Sequence, residues 1–149
     1  MTQTELNKIL IEFSKLGQLA AVKETIRQGA DIHACDDLAL CLAAYYGRLD
    51  VLKFLLKSGA YIHAKNDEAL RLAAEFGHLS IVKFLVKNGA YIHAEDNLAL
   101  RLAAANGRLS VVKFLVENGA DIHAHDDFAL RLAAEFGHQD VVNYLKSAA

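Results

Sequence analysis

Four histidines, His33, His63, His93 and His123, recur thirty residues apart in a chain of 149 residues. Imidazole is the commonest metal ligand and titrates near neutrality, so such a ladder raises zinc binding and proton chemistry first. Zinc holds its nitrogen ligands at about 2.0–2.1 Å, whereas equivalent residues on neighbouring packed helices lie roughly 8–10 Å apart. No two rungs can share an ion. Each ring is expected to hydrogen-bond the neighbouring loop. If held neutral there, protonation below ~6.5 should loosen the packing. The tightest cluster, His123-Ala-His125-Asp126-Asp127, supplies no closed set of four ligands, and neither does His33 with Cys35.

Arg71, Arg101 and Arg131 form a second ladder with the look of an anion-binding stripe. Asp67 and Asp127 stand four residues before two of them, and Glu75 and Glu135 four after. Local ion pairing on a helix surface is therefore the expectation. Lys53, Lys83 and Lys113 read as the solvated side of another helix. No serine has a base and an orienting acid in repeated register, and no glycine-rich phosphate loop is present. The chain is expected to be no enzyme and to need no cofactor and no metal.

These ladders exist because the whole chain repeats. GAYIHA occurs at 59–64 and 89–94 and GADIHA at 29–34 and 119–124, and segments 59–88 and 89–118 agree at 21 of 30 positions. A fixed period in this range marks an array in which each unit buries its apolar face against its neighbours. Within 65–88 the spacing of Leu70, Leu72, Ala73 and Phe76 predicts a short amphipathic helix with Asp67 as its N-cap. Gly77 ends it at a position needing positive φ. Ser80 is expected to cap a second helix carrying Ile81, Val82, Phe84, Leu85 and Val86, which stops at Asn88-Gly89. The GAYIHA segment reads as an extended connector. Leu42, Leu72, Leu102 and Leu132 are expected to form one buried ladder, and Phe54, Phe84, Phe114 and Tyr144 another. Helices of about ten residues do not persist alone in water, so stacking must stabilise them.

The unit ALRLAA-xx-GHLSIVKFLVKNGAxIHA resembles an ankyrin repeat, with LAA, the glycine-histidine at 77–78 and 137–138, VVKFL and GAD at the expected offsets from about residue 8 to 146. The resemblance implies an all-α helix-turn-helix solenoid. It divides the single domain 1–149 into an N-terminal capping repeat 1–30, internal repeats 31–60, 61–90 and 91–120, and a C-terminal capping repeat 121–149. The period is three short of the usual ~33, so the projecting β-hairpin tips should be short or absent. This shortened form resembles repeats of giant DNA viruses. Polar Glu12, Glu24 and Thr25 stand at ladder columns of the first repeat, and Gln139 and Lys146 at those of the last, as capping predicts.

Function is expected in the few columns that do not repeat. In ankyrin proteins the two residues between LAA and the glycine line a concave helical face, here Tyr45 and Tyr46, Glu75 and Phe76, Ala105 and Asn106, Glu135 and Phe136. The variable columns Leu38, Glu68, Leu98, Phe128 and Lys65, Glu95, His125 adjoin them, and Tyr61 and Tyr91 add connector aromatics. Aromatic side chains anchor interfaces well. The resemblance thus implies non-catalytic binding of an unidentified protein partner by a monomer. The alternative is an engineered, consensus-type scaffold with no natural ligand.

Composition agrees. The hydrophobic share of 54% and charged share of 23% belong to a folded chain. A net charge of −2 argues against a nucleic-acid partner. No apolar run reaches the ~18–20 residues of a membrane span, and MTQTELNKILIEF lacks a basic signal-peptide region. Cys35 and Cys41 fall in one repeat only, so both are expected as free thiols in the reducing cytoplasm. Proline is absent, and glycine must turn the chain.

Overall fold

The computed structural model describes all residues, 1–149. Ten helices and no strand make the chain all-α: α1 (Gln3–Leu16), α2 (Leu19–Arg27), α3 (Ala34–Tyr45), α4 (Leu49–Lys57), α5 (Ala64–Glu75), α6 (Leu79–Lys87), α7 (Ala94–Ala105), α8 (Leu109–Glu117), α9 (Ala124–Glu135) and α10 (Gln139–Ala148). They alternate as helix-turn-helix pairs, one pair per thirty residues, and no hairpin tip projects from the connectors. The chain divides into two compact units, Met1–Ala69 and Leu70–Ala149.

In the first unit α1 packs on α2 and α3, and α4 on α2 and α3. Helix α1 opens with a capping box that the sequence reading missed. The Glu5 amide donates to Thr2 Oγ1 at 3.2 Å, and the Thr2 amide donates to Glu5 Oε2 at 2.7 Å. That satisfies two of the donors a helix start leaves open. Gly17 closes the helix at φ 76°. The core here is Leu10, Val22, Leu40, Leu52 and Leu55, each at most 1% exposed. Glu12 and Glu24 are exposed, while Thr25 is buried and spends its hydroxyl on the Ala21 carbonyl.

In the second unit α7 packs on α8 and α9, and α10 on α8 and α9. Leu70, Leu85, Leu100 and Leu115 are its fully buried leucines. The expected ladder through Leu42, Leu72, Leu102 and Leu132 is only half-buried. A residue two places from Leu100 points about 200° around the helix. The buried stripe is instead Ala99, Leu100, Ala103 and Ala104, whose alanines let neighbouring helices approach. Phe84, Phe114 and Tyr144 are likewise half-buried. Lys83 Nζ sits 5.9 Å from the Phe114 ring centre and Lys113 Nζ 5.7 Å from that of Tyr144, so these lysines cover aromatic faces as well as meeting solvent.

Two expectations about helix starts are corrected. Ser80 lies inside α6, whose N-cap is His78. Asp67 does not cap a helix from extended backbone: it ends a run of three left-handed residues, Lys65, Asn66 and Asp67, with φ 51–59°. The same run recurs at Cys35–Asp37, Glu95–Asn97 and His125–Asp127. The connector is correspondingly a turn rather than an extended stretch, closed by the Ala64 amide on the Tyr61 carbonyl at 3.1 Å. With three residues fewer than the longer repeat, the chain enters each first helix through this tight left-handed turn. L-residues adopt that conformation at a cost of roughly 1–2 kcal/mol each, least for Asn and Asp. The second and third places of all four turns are Asp or Asn.

Candidate functional site

The constant columns form a bonding system between repeats. The third residue of the first three left-handed turns is buried, with Asp37 and Asp67 at 4% and Asn97 at 6% exposure. The side chains of Asp37 and Asn97 accept from the connector amide of the next repeat. The Tyr61 amide donates to Asp37 Oδ1 at 2.8 Å in the first unit, and the Asp121 amide to Asn97 Oδ1 at 2.9 Å in the second. Asn7 does the same for Asp31, although no left-handed turn surrounds it.

The histidine ladder serves the same residues. His33, His63 and His93 present Nδ1 at 3.0–3.1 Å to Asp37, Asp67 and Asn97, four places on, and His123 does so to Asp127. The expected bond to the neighbouring loop is therefore corrected. Each imidazole steadies the turn of its own repeat, and Asp37 and Asn97 reach the neighbour. Carboxylate and amide oxygens accept from Nδ1–H whether or not Nε2 is protonated. The bond itself gives no reason for acid to loosen the ladder.

A second system runs the other way. Arg48 Nε donates to the Lys15 carbonyl at 3.0 Å, Arg108 Nε to that of Glu75 at 3.0 Å, and His138 Nε2 to that of Ala105 at 2.9 Å. Each basic side chain satisfies a carbonyl at the end of the preceding repeat's first helix, where the helix has none of its own partners left. For Arg101 and Arg131 the expected ion pairing is also corrected. Arg101 donates to the Glu95 and Asp96 carbonyls and Arg131 to those of His125 and Asp126, so their guanidinium groups clamp left-handed turns rather than pairing with carboxylates. In the first unit Cys41 occupies that column. Burial, reinforced by the nearby Glu68 carboxylate, pushes its thiol up to about 12. Cys35 is exposed, and both cysteines are free.

With framework groups spent on one another, the variable columns supply the candidate surface. In the first unit Tyr45 is half-buried and supports Tyr46, 40% exposed, at 4.6 Å between ring centres. Lys15 Nζ lies 5.9 Å from the Tyr46 ring centre. Tyr61 is 56% exposed and meets the edge of His63 at 5.5 Å. Lys65 pairs with Glu68 at 3.8 Å, and Leu38 is half-buried.

In the second unit Glu75 and Phe76 are half-buried, while Asn106, Glu135 and Phe136 are exposed. Asn106 spends its amide on the Leu102 carbonyl at 2.8 Å, capping its own helix. Tyr91, 56% exposed, meets His93 at 5.4 Å. Glu95 is exposed, Leu98 half-buried, and His125 Nε2 lies 3.0 Å from Asp96 Oδ2. Phe128 is half-buried under Arg131, 4.8 Å from its ring centre, with Arg101 at 5.8 Å. Phe128 is thus held by framework cations, and Phe136 stands free of them.

No three His, Cys, Asp or Glu side chains gather as a metal site, and no helix is long and apolar enough to cross a membrane. A family model described as ankyrin repeats (3 copies) matches residues 10–96 and again 96–149. No curated protein matches the chain.

Proposed function

Because the chain belongs to the ankyrin-repeat family, whose repeats generally mediate protein–protein interaction, we propose that it is a non-catalytic module binding a protein through its variable columns. The observation that carries this reading is where aromatic surface lies. The exposed large aromatics are Tyr46, Tyr61, Tyr91 and Phe136. All four fall in columns singled out as variable or as connector aromatics, while the repeating columns bury theirs or cover them with lysine. Exposed tyrosine and phenylalanine on a rigid helical frame lose little conformational entropy on docking. Each unit carries its own share, with Tyr46 and Tyr61 in the first and Tyr91 and Phe136 in the second. The thirty-residue period and missing hairpin tips support kinship with the shortened repeats of giant DNA viruses and an intracellular setting.

Affinity capture with the parent, Tyr46→Ala and Phe136→Ala tests the reading. A partner held by the parent should bind each variant more weakly by ~1–2 kcal/mol, with the melting temperature unchanged. A partner that binds all three proteins equally would move the face elsewhere. The near-identity of 59–88 and 89–118 favours a second reading, an engineered consensus-type scaffold without a natural ligand. A coding sequence found within a natural genome removes that alternative.

A further inference from the structure

Three asparagines precede a glycine: Asn88-Gly89, Asn106-Gly107 and Asn118-Gly119. All three pairs lie in the second unit, whereas the first unit places Gln28 and Ser58 in the column of Asn88 and Asn118. The pairing has a chemistry of its own. An asparagine side chain holds an electrophilic carbon, Cγ, within reach of the next backbone nitrogen, and glycine leaves that nitrogen uncovered on the freest of backbones. In an open chain the glycine nitrogen bonds to Cγ and closes a five-membered imide. The bond from Cγ to Nδ2 breaks, and ammonia leaves with the proton the nitrogen gives up. Water then opens the imide. Cleavage at Cγ gives aspartate, and cleavage at the main-chain carbonyl gives isoaspartate, whose backbone runs through the side chain with one extra methylene. One water is consumed and one ammonia released, with no oxidant or reductant.

Folding blocks each site in three ways. The asparagines cap the C-termini of α6, α7 and α8 with ψ of 16°, 8° and 17°. So small a ψ places the glycine nitrogen over the asparagine's own nitrogen, whereas ring closure needs it beside Cβ. Each Nδ2 is held on the carbonyl four residues back, donating to Phe84 at 2.7 Å, Leu102 at 2.8 Å and Phe114 at 2.8 Å. Each glycine amide donates to the carbonyl three residues back, that of Val86, Ala104 or Val116, at 3.1–3.2 Å. The same bonds make conversion costly. A carboxylate would replace a donor opposite the carbonyl it serves, at the negative end of the helix dipole. The isoaspartate methylene would also displace the glycine, whose φ of 67–98° closes the helix end. We infer that Asn88, Asn106 and Asn118 are sites of hydrolytic deamidation, locked while the second unit is folded and released when it opens. Each excursion to the open state leaves a covalent mark that makes the next one easier.

The full chain tests this in two stages. It is incubated at neutral pH without denaturant and at graded guanidinium chloride concentrations through its unfolding transition, and its proteolytic peptides are mapped by mass spectrometry. In the unfolded chain the three Asn-Gly peptides should convert well ahead of those holding Asn97 and Asn143, which precede leucine and tyrosine. Folding should slow all three by about tenfold or more, and their rates should follow the unfolded fraction read by circular dichroism. Native rates equal to unfolded ones overturn the lock, and rates that ignore the unfolded fraction overturn release by opening. In the second stage, chains held unfolded for increasing times are returned to buffer. Their urea midpoints should fall as the three sites convert, and Asn88→Ser/Asn118→Ser, which copies Ser58, should lose less over the same interval. The parent series decides by itself if that variant does not fold. Converted chains that keep the midpoint of fresh protein overturn the proposal.

Discussion

Replacing Gly107 by alanine separates two reasons for glycine that usually act together. Gly107 has φ 67° and Gly137, the same column one repeat later, has φ 77°. Either alanine variant must hold an L-residue in the left-handed region, at about 1–2 kcal/mol. Only at Gly107 does a Cβ meet anything: it would lie 2.5 Å from His138 Nδ1, while nothing stands within 4 Å of one at Gly137. The His138 ring must therefore withdraw from the Ala105 carbonyl, forfeiting a hydrogen bond whose net worth is about 0.5–1.5 kcal/mol. Gly107→Ala should then cost ~1.5–3.5 kcal/mol and Gly137→Ala ~1–2 kcal/mol. The lower unfolded-state entropy of alanine acts equally on both variants and cancels. Urea titrations followed by circular dichroism give the two losses, with an unchanged slope as the check on two-state behaviour. The cycle with His138→Ala sharpens the test. In that background Gly107→Ala should cost only the backbone share, a coupling of about 0.5–1.5 kcal/mol. Equal losses at the two glycines, or strict additivity with His138→Ala, would refute the account of close approach.

Three further outcomes are expected. Leu115→Ala, at a fully buried position, should lose ~2–5 kcal/mol, and Leu102→Ala, half-buried, clearly less; the order of their urea midpoints checks the corrected core. Ser14 is fully buried with its hydroxyl unpartnered, in a column where Ala44, Ala74 and Ala104 stand, so Ser14→Ala should raise stability by ~1 kcal/mol or more, read as a higher urea midpoint. At pH 8 a thiol reagent should modify Cys35 rapidly and Cys41 only on unfolding. Cys41 titrates at about 12 in the fold against 9.0 for a free thiol. Its neutral form therefore favours the fold fully below pH 9, and that contribution is lost as pH rises from 9 towards 12. Melting temperatures across this range should fall less steeply in Cys41→Ala.

The period and the spacing of apolar residues carried the all-α repeat into view before any coordinates, because stacking leaves its mark on every thirtieth residue. The tight left-handed turns were harder to see. Nothing in hydrophobic periodicity reports backbone handedness, and Asp67 before a helix has the look of an ordinary N-cap. The clue is composition: two consecutive Asp or Asn residues in every repeat after the first, the types that bear positive φ best. The binding system was half legible. Arg48, His78, Arg108 and His138 share one property, a side-chain N–H on a long arm, which the eye tuned to identical letters passes over. The histidines draw attention as chemistry because their partners, four residues on, read from the sequence as helix starts. Leu42 is only half-buried although its column repeats, because a repeated leucine records periodicity, not how far around a nine- to twelve-residue helix it points.

The atoms that each repeat offers its neighbour across the two bonding systems are main-chain ones: the amides of Asp31, Tyr61 and Asp121, and the carbonyls of Lys15, Glu75 and Ala105. A main-chain group is indifferent to the side chain beside it, so these bonds survive when that side chain changes. Gain or loss of ninety nucleotides by unequal recombination therefore exchanges one whole repeat and leaves every remaining junction with the partners it needs. Inheritance can thus redraw the recognition columns while the means of assembly stays the same.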